Sequence, residues 1–215
     1  MVFSWLDFVS FQPIYLLFTS KIVFLKENKL GIYCEITVIN LILLQNTLIM
    51  LYLETPRLYF RIFRPEDAAD LFRIEGDTDV MRFIRTPAAD ISHSHQRIAN
   101  ELVYASENEG LGLCACYEKE SSTFVGLVKI KHVENTDAIE VGYGFVPEAW
   151  GKGYATEVTR ASIKHLQTNF AGRPIIAFIH PNHHSSRHVL EKAGMKQVPT
   201  IFEGHEEAVV FEFIS

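Results

Sequence analysis

Cysteine is scarce in this chain, and its spacing excludes more than its number does. The 215 residues hold three, Cys34, Cys114 and Cys116, an odd count without a Cys-x-x-Cys pair. That argues against a disulfide framework and points to reduced thiols in a cytoplasmic protein. Basic runs are absent as well. With 20 Lys and Arg against 26 Asp and Glu the net charge is −6, and no Lys/Arg cluster offers the positive face that nucleic-acid binding requires. Internal repeats and low-complexity linkers are missing too. The content of 48% hydrophobic and 21% charged residues is that of an ordinary globular chain, long enough for one domain with a full core.

A sharper deficiency is local. Residues 1–49 contain no Ala, no Arg and no His, and only six charged side chains. Residues 36–53 form an uncharged run of eighteen, just long enough to be considered as a membrane span, yet Asn40, Gln45 and Asn46 interrupt it with polar groups. No basic n-region followed by a cleavage site marks a signal peptide. The expectation is an extension of doubtful structure over 1–49, with Met50 as the natural start of a single domain over 50–215. A membrane or interfacial anchor is the alternative reading of the extension.

Beyond Met50 the periodicity is clear. Residues 57–64 alternate apolar and charged, a half-buried strand. Pro65, Glu66 and Asp67 open a helix that Gly76 stops. A second helix is expected over 92–107, then strands at about 111–118, 123–133 and 138–146. A helix over 156–170, a strand over 174–179, a helix over 185–193 closed by Gly194, and strands at about 197–203 and 207–214 complete the chain. Local hairpins before a strand-helix-strand crossover imply a mixed α/β sheet.

The chemistry gathers at one strand-to-helix junction, residues 140–158, where Pro147, Gly151 and Gly153 sit close together. Helix N-termini expose unpaired N–H groups and a partial positive charge, so they hold phosphates. Two familiar phosphate motifs are missing. Val146 stands where a P-loop needs its first glycine, and Gly153 follows Lys152 where that motif needs Ser or Thr. Thr156 takes the place of a third Rossmann glycine, and no acid follows about twenty residues on. What is present is a strand in which Gly142 and Gly144 leave one face nearly bare, a mark of close ligand approach. A long thin molecule ending in a pyrophosphate, with the shape of coenzyme A, suits such a strand and loop.

Four segments then resemble the GNAT superfamily of N-acetyltransferases, specifically its ribosomal-protein N-terminal acetyltransferase (RimJ/RimL-type) branch: Leu53-Glu-Thr-Pro-Arg-Leu, Glu140-Val-Gly-Tyr, Pro147-Glu-Ala-Trp-Gly-Lys-Gly-Tyr-Ala-Thr-Glu, and Pro181-Asn-His-His-Ser-Ser-Arg-His-Val-Leu-Glu-Lys-Ala-Gly-Met. The resemblance covers about residues 51–214. It implies a central mixed, mostly antiparallel sheet of six to seven strands flanked by about four helices. It also implies an acetyl-CoA-dependent N-acetyltransferase with a primary amine as acceptor, either a protein N-terminus or a small molecule. Further implications are a monomer or homodimer with no metal, no nucleic-acid partner and no membrane partner.

The resemblance implies that the amides of Trp150, Gly151, Lys152, Gly153, Tyr154, Ala155 and Thr156 hold the pyrophosphate. It implies that backbone groups of Phe145 and Val146 pair with the pantetheine arm like an added strand. His183 falls on the family's usual asparagine, and Ser186 on a serine near the thiol. Leu190 occupies the slot where many members place a tyrosine acid, and a thiol of pKa about 8.5 leaves readily without one. Glu140 is the candidate general base, with pairing to a neighbouring lysine as the competing reading; the Val146 amide is the expected donor to the thioester oxygen. Tyr143, Tyr154 and Phe145 read as core or cofactor-packing residues. Arg82 and Arg85 fall in the loop that in this family covers the acceptor, or are solvated charges. His184, His188 and Glu191 share a helix face at metal-ligand spacing without forming a known metal motif. A non-catalytic acyl-CoA-binding module is the alternative function.

Overall fold

The computed structural model describes residues 14–18, 21–25, 51–199 and 202–214, divided between two compact units, Met1–Leu48 and Ile49–Ser215. In the first unit β1 (Ile14–Phe18) and β2 (Lys21–Leu25) pair antiparallel, with Ile14 opposite Leu25. Most of the uncharged run, residues 36–50, lies outside the described residues. Among the described residues no helix is long and apolar enough to cross a membrane.

The second unit is built on strands β3 (Tyr52–Glu54), β4 (Leu58–Ile62), β5 (Gly112–Glu118), β6 (Phe124–His132), β7 (Ile139–Phe145), β8 (Ile175–Ile179), β9 (Met195–Val198) and β10 (Val209–Phe213). Its helices are α1 (Ala68–Glu75), α2 (Thr78–Met81), α3 (Ile91–Glu107), α4 (Tyr154–Asn169) and α5 (His184–Lys192). The eight strands form one sheet in the order β3-β4-β5-β6-β7-β8-β10-β9. Every pairing is antiparallel except β7 with β8.

The expected strands and helices are all present, and two elements were not expected. β3 has only three residues, too short to show a period, and its first two lie at the end of the uncharged run. Its place is fixed by Leu51, which is buried and accepts the Ile62 amide. Helix α2 is a single turn held by Asp77, whose side chain accepts from the amides of Asp79 and Val80. The last two strands are shorter than expected and their connection longer: β9 ends at Val198 and β10 begins at Val209.

Capping explains the other boundaries. Helix α1 ends at Glu75 before Gly76, and Asp90 caps α3 by accepting from the Ser92 amide. The middle of the sheet is covered on both faces. Gly112 to Tyr117 on β5 are all buried, which is why this strand reads as a continuous apolar run rather than an alternating one. Ile74 of α1 approaches the Gly144 side of β7, whereas α5 reaches Tyr143 and the start of α4 reaches Phe145 on the other side. Cys114 and Cys116 lie buried in β5, and burial pushes the Cys116 thiol up to about 12. These are inert core thiols.

One feature of the sheet positions everything that follows. The parallel pair β7–β8 has only two rungs, Ile139 opposite Ile175 and Glu140 opposite Ile176. β7 then stays with β6 as far as Phe145, while β8 follows β10 as far as Ile179. The two strands diverge, and a wedge opens between them.

Candidate functional site

At the far end of β7, Pro147–Ala149 form a 3-10 turn and the chain enters α4 through Trp150 to Gly153. Gly151 and Gly153 have φ of 76° and 80°, a left-handed conformation that glycine adopts without strain. A Cβ on Gly151 would meet nothing within 4 Å, so backbone conformation rather than crowding requires glycine there. Gly153 is the N-cap of α4, and no side chain caps that terminus. Its first-turn N–H groups, from Tyr154, Ala155 and Thr156, therefore point outward without intrahelical partners.

The cation beside this terminus is Arg57, whose role the sequence did not disclose although it belongs to a recognised segment. Its Nη1 donates to the Lys152 carbonyl at 2.9 Å and its Nε to Glu157 at 2.8 Å. Its Nη2 lies 3.6 Å from the position a Gly153 Cβ would take. Lys152, expected as the mobile cation, instead leans toward Glu118 at 3.4 Å, and Tyr154 donates to the same carboxylate oxygen at 2.5 Å. A cleft of about 420 Å³ beside Gly153 and Thr156 is edged by Arg57, Arg160 and Lys164.

The edge of β7 decides which amides face the wedge. The Val146 N–H, expected to meet the thioester oxygen, is already donated to the Val125 carbonyl at 3.0 Å. Residues of an antiparallel ladder alternate sides. With Gly142 opposite Lys129 and Gly144 opposite Leu127, the N–H groups of Tyr143 and Phe145 face away from β6, beyond the last rung with β8 and toward the opening. The Phe145 carbonyl accepts the Trp150 indole N–H at 2.7 Å, leaving the Trp150 ring half exposed. The bare face of β7 is also not an open channel: a Gly144 Cβ would lie 3.5 Å from Ile74 and 3.6 Å from Leu127. The open route is the strand's edge, not its face.

Glu140 and Ser186 stand on opposite sides of that edge. Lys129 Nζ lies 2.5 Å from Glu140 Oε2, with the carboxylate only 14% exposed. The other oxygen, Oε1, is 3.8 Å from where a Gly142 side chain would begin, so the missing side chain leaves space against it. On the opposite side Ser186 is buried in the first turn of α5, its Oγ 2.8 Å from the Tyr143 hydroxyl. Burial pushes that phenol up to about 12. Leu190, in the position of the family's tyrosine acid, is buried. Tyr143 thus places a hydroxyl beside Ser186, one strand away from the slot where sequence reasoning looked for it.

His183 caps α5. Its Nδ1 accepts from the Ser186 amide at 3.4 Å, and burial, with His180 and His184 nearby, pushes its pKa down. Phe83 packs against both His180 and His183. Among the described residues no three His, Cys, Asp or Glu side chains converge as a metal site, the His184–His188–Glu191 face included.

A second charged group was not foreseen. Glu75, the last residue of α1, has a fully buried side chain. Its Oε1 receives Arg85 and Arg97, and its Oε2 receives Ser94 at 2.7 Å with His93 Nδ1 at 3.4 Å. Burial pushes the carboxyl up, but these donors outweigh it and hold the pKa below the ordinary value. The Ala88 amide donates to the Glu75 carbonyl, fixing the loop between α2 and α3. Arg85, Arg97, Lys129, Glu140, Tyr143 and Ser186 all line one cleft of about 720 Å³.

Known proteins resemble the chain in sequence and in fold. The acetyltransferase (GNAT) domain family matches residues 57–196. An uncharacterized protein of Bacillus subtilis (strain 168), YkkB, is 30% identical over 168 residues, covering 74% of this chain and 94% of its own. Among solved structures, an acetyltransferase (GNAT family) from Bacillus anthracis superposes with a TM-score of 0.62 at 23% identity, over 75% of this chain and 96% of that one. Mycobacterium smegmatis RimJ, in complex with CoA-disulfide, gives 0.61 at 19% identity, over 76% and 85%. Its presence among the neighbours agrees with the RimJ/RimL-type resemblance. The family match spans most of the second unit, and the chain belongs to the GNAT acetyltransferase family.

Proposed function

We propose that the chain transfers an acetyl group from acetyl-CoA to a primary amine by direct attack of the amine on the thioester. The observation that carries this reading is the two-rung β7–β8 seam, which opens a wedge ending at the uncapped N-terminus of α4. The pyrophosphate would rest on the amides of Gly151 to Thr156, with Arg57 beside it. Arg160 and Lys164 would provide cations for the remaining phosphate. The pantetheine arm would run back along the β7 edge and pair with Phe145 and Tyr143, in the manner of an added strand.

The acceptor then enters from the Glu140 side. Its nitrogen attacks the carbonyl carbon, the oxygen gathers charge against an edge amide, and the carbon–sulfur bond breaks. The amine proton passes to Glu140, directly or through a water. A thiol of pKa about 8.5 leaves as thiolate. Tyr143, with a pKa near 12, keeps its proton and donates a hydrogen bond to the departing sulfur while Ser186 holds it in place. The buried thiols support a cytoplasmic setting.

The test is calorimetric titration with acetyl-CoA, CoA and ATP, followed by a thiol-release assay with a panel of amines. Binding of both CoA forms but not ATP, with amine-dependent release of CoA, is the expected result. Binding without release for any amine would identify a non-catalytic acyl-CoA-binding module.

A further inference from the structure

We infer that the acceptor carries a carboxylate on the same residue or small molecule as its amine, and that Arg85 and Arg97 bind it. This rests on the acetyl-transfer reading and assigns a substrate class to the same site. Neutralising the buried Glu75 carboxylate requires one guanidinium, and two are present. Ser94 adds a hydroxyl donor, so Glu75 is satisfied on both oxygens with one positive charge left over. Each arginine has five N–H donors, and each gives one to Glu75. The remaining donors belong to side chains that line the cleft, and the Arg97 side chain is only 22% exposed. A partly desolvated fork with unused donors binds carboxylates bidentately.

The position of this fork relative to the reaction follows from α3 and β6. Arg97 lies one helical turn before Glu101, which grips Lys131 of β6 at 3.0 Å. Lys129, two residues back along the same face of β6, grips Glu140. The anion site and the base thus stand on either side of Lys129 in one cleft, near enough for a single small acceptor to meet both. Glu75 converts two long, flexible side chains into a fixed pair, and its carbonyl holds the loop that carries Arg85. A bare diamine would meet two guanidiniums there and be disfavoured.

The experiment compares matched acceptors with the full chain and acetyl-CoA. Glycine, alanine, methionine and β-alanine are set against their carboxamides, with alanyl-alanine amide and spermidine as further amines free of a carboxylate. The expected kcat/KM advantage of acid over amide is about 10- to 100-fold, the scale of charge-assisted hydrogen bonds. Arg97→Lys and the partly exposed Arg85→Ala should shrink that ratio toward one, chiefly through KM. Equal or better turnover of the amides, the peptide amide or spermidine would overturn the carboxylate while leaving the acetyltransferase standing. A ratio that survives in both variants would overturn the role of the arginines. No CoA release with any amine would overturn both readings together.

Discussion

The two ends of β7 handle charge by different means. At the Phe145 end the positive potential belongs to backbone amides and a helix terminus, arranged by Gly151, Gly153 and Pro147 within one short segment. At the Glu140 end it belongs to side chains, Arg85 from the loop after α2 and Arg97 from α3 gathered around Glu75 of α1, and Lys129 of β6 beside Glu140. A backbone site leaves its mark in consecutive residues, whereas a side-chain site is dispersed over more than sixty positions. The first end should therefore be sensitive to backbone geometry and local charge, and the second to the loss of single functional groups.

Breaking the backbone end should have the largest effect. Gly153→Asp sets a carboxylate against the outward amides and forces a non-glycine residue to the φ of 80°. Acetyl-CoA affinity should fall by about a hundredfold or more, read by calorimetry, from left-handed strain of 1–2 kcal/mol plus charge repulsion. Unchanged affinity would remove the phosphate role of the loop.

Glu140→Gln is the next probe. Loss of general-base assistance should lower kcat by roughly a hundredfold. The loss should be greater at pH 7 than at pH 9 for lysine-like acceptors, because at pH 9 more of the amine is already neutral. An equal loss at both pH values would make Glu140 only the partner of Lys129.

Glu75→Gln addresses the side-chain end through stability. The folded Glu75 carboxyl has a depressed pKa, so its contribution is fully present above the unfolded value near 4.5 and fades as pH falls through the folded value. Relative to the parent, the variant should be less stable by about 2 kcal/mol at neutral pH, discounted because Arg85 is 41% exposed. The difference should shrink as pH falls below about 4.5. Denaturation at pH 7 and at pH 3.5 measures it, and a pH-independent difference would show that the charge is not the cause.

The smallest effect belongs to Tyr143→Phe. It removes the 2.8 Å bond to Ser186 and should lower stability by about 1 kcal/mol and kcat by about tenfold with little change in KM. A larger effect on KM than on kcat would reassign Tyr143 to cofactor packing.

The contrast also explains what could be read from the sequence. Glycines with positive φ, the proline turn and the helix stops at Gly76 and Gly194 act locally, so the strands, the helices and the glycine turn before α4 were legible. β3 was not, because three edge residues carry no period. Arg57 was quoted within a motif, but its approach to Gly153 depends on contacts with Lys152 and Glu157, a hundred positions away. The direction of the Val146 amide depends on the β6–β7 register, which a single strand cannot reveal. Tyr143 looked like a packing residue because its partner, Ser186, is on a distant helix. Glu75 looked like the end of an amphipathic helix, and only the fold brings Arg85, Ser94 and Arg97 to it.

The two-rung seam between β7 and β8 also bears on how the protein persists. Past Glu140 the edges of both strands keep backbone groups that no neighbouring strand pairs, so that part of the sheet gains less from folding than its length suggests. A molecule that hydrogen-bonds along the β7 edge supplies those bonds only to the folded chain. At a hundred times its dissociation constant such a ligand adds about 2.7 kcal/mol to stability, comparable to a buried leucine. The lifetime of the protein would then follow the supply of that ligand, and the melting temperature would report it.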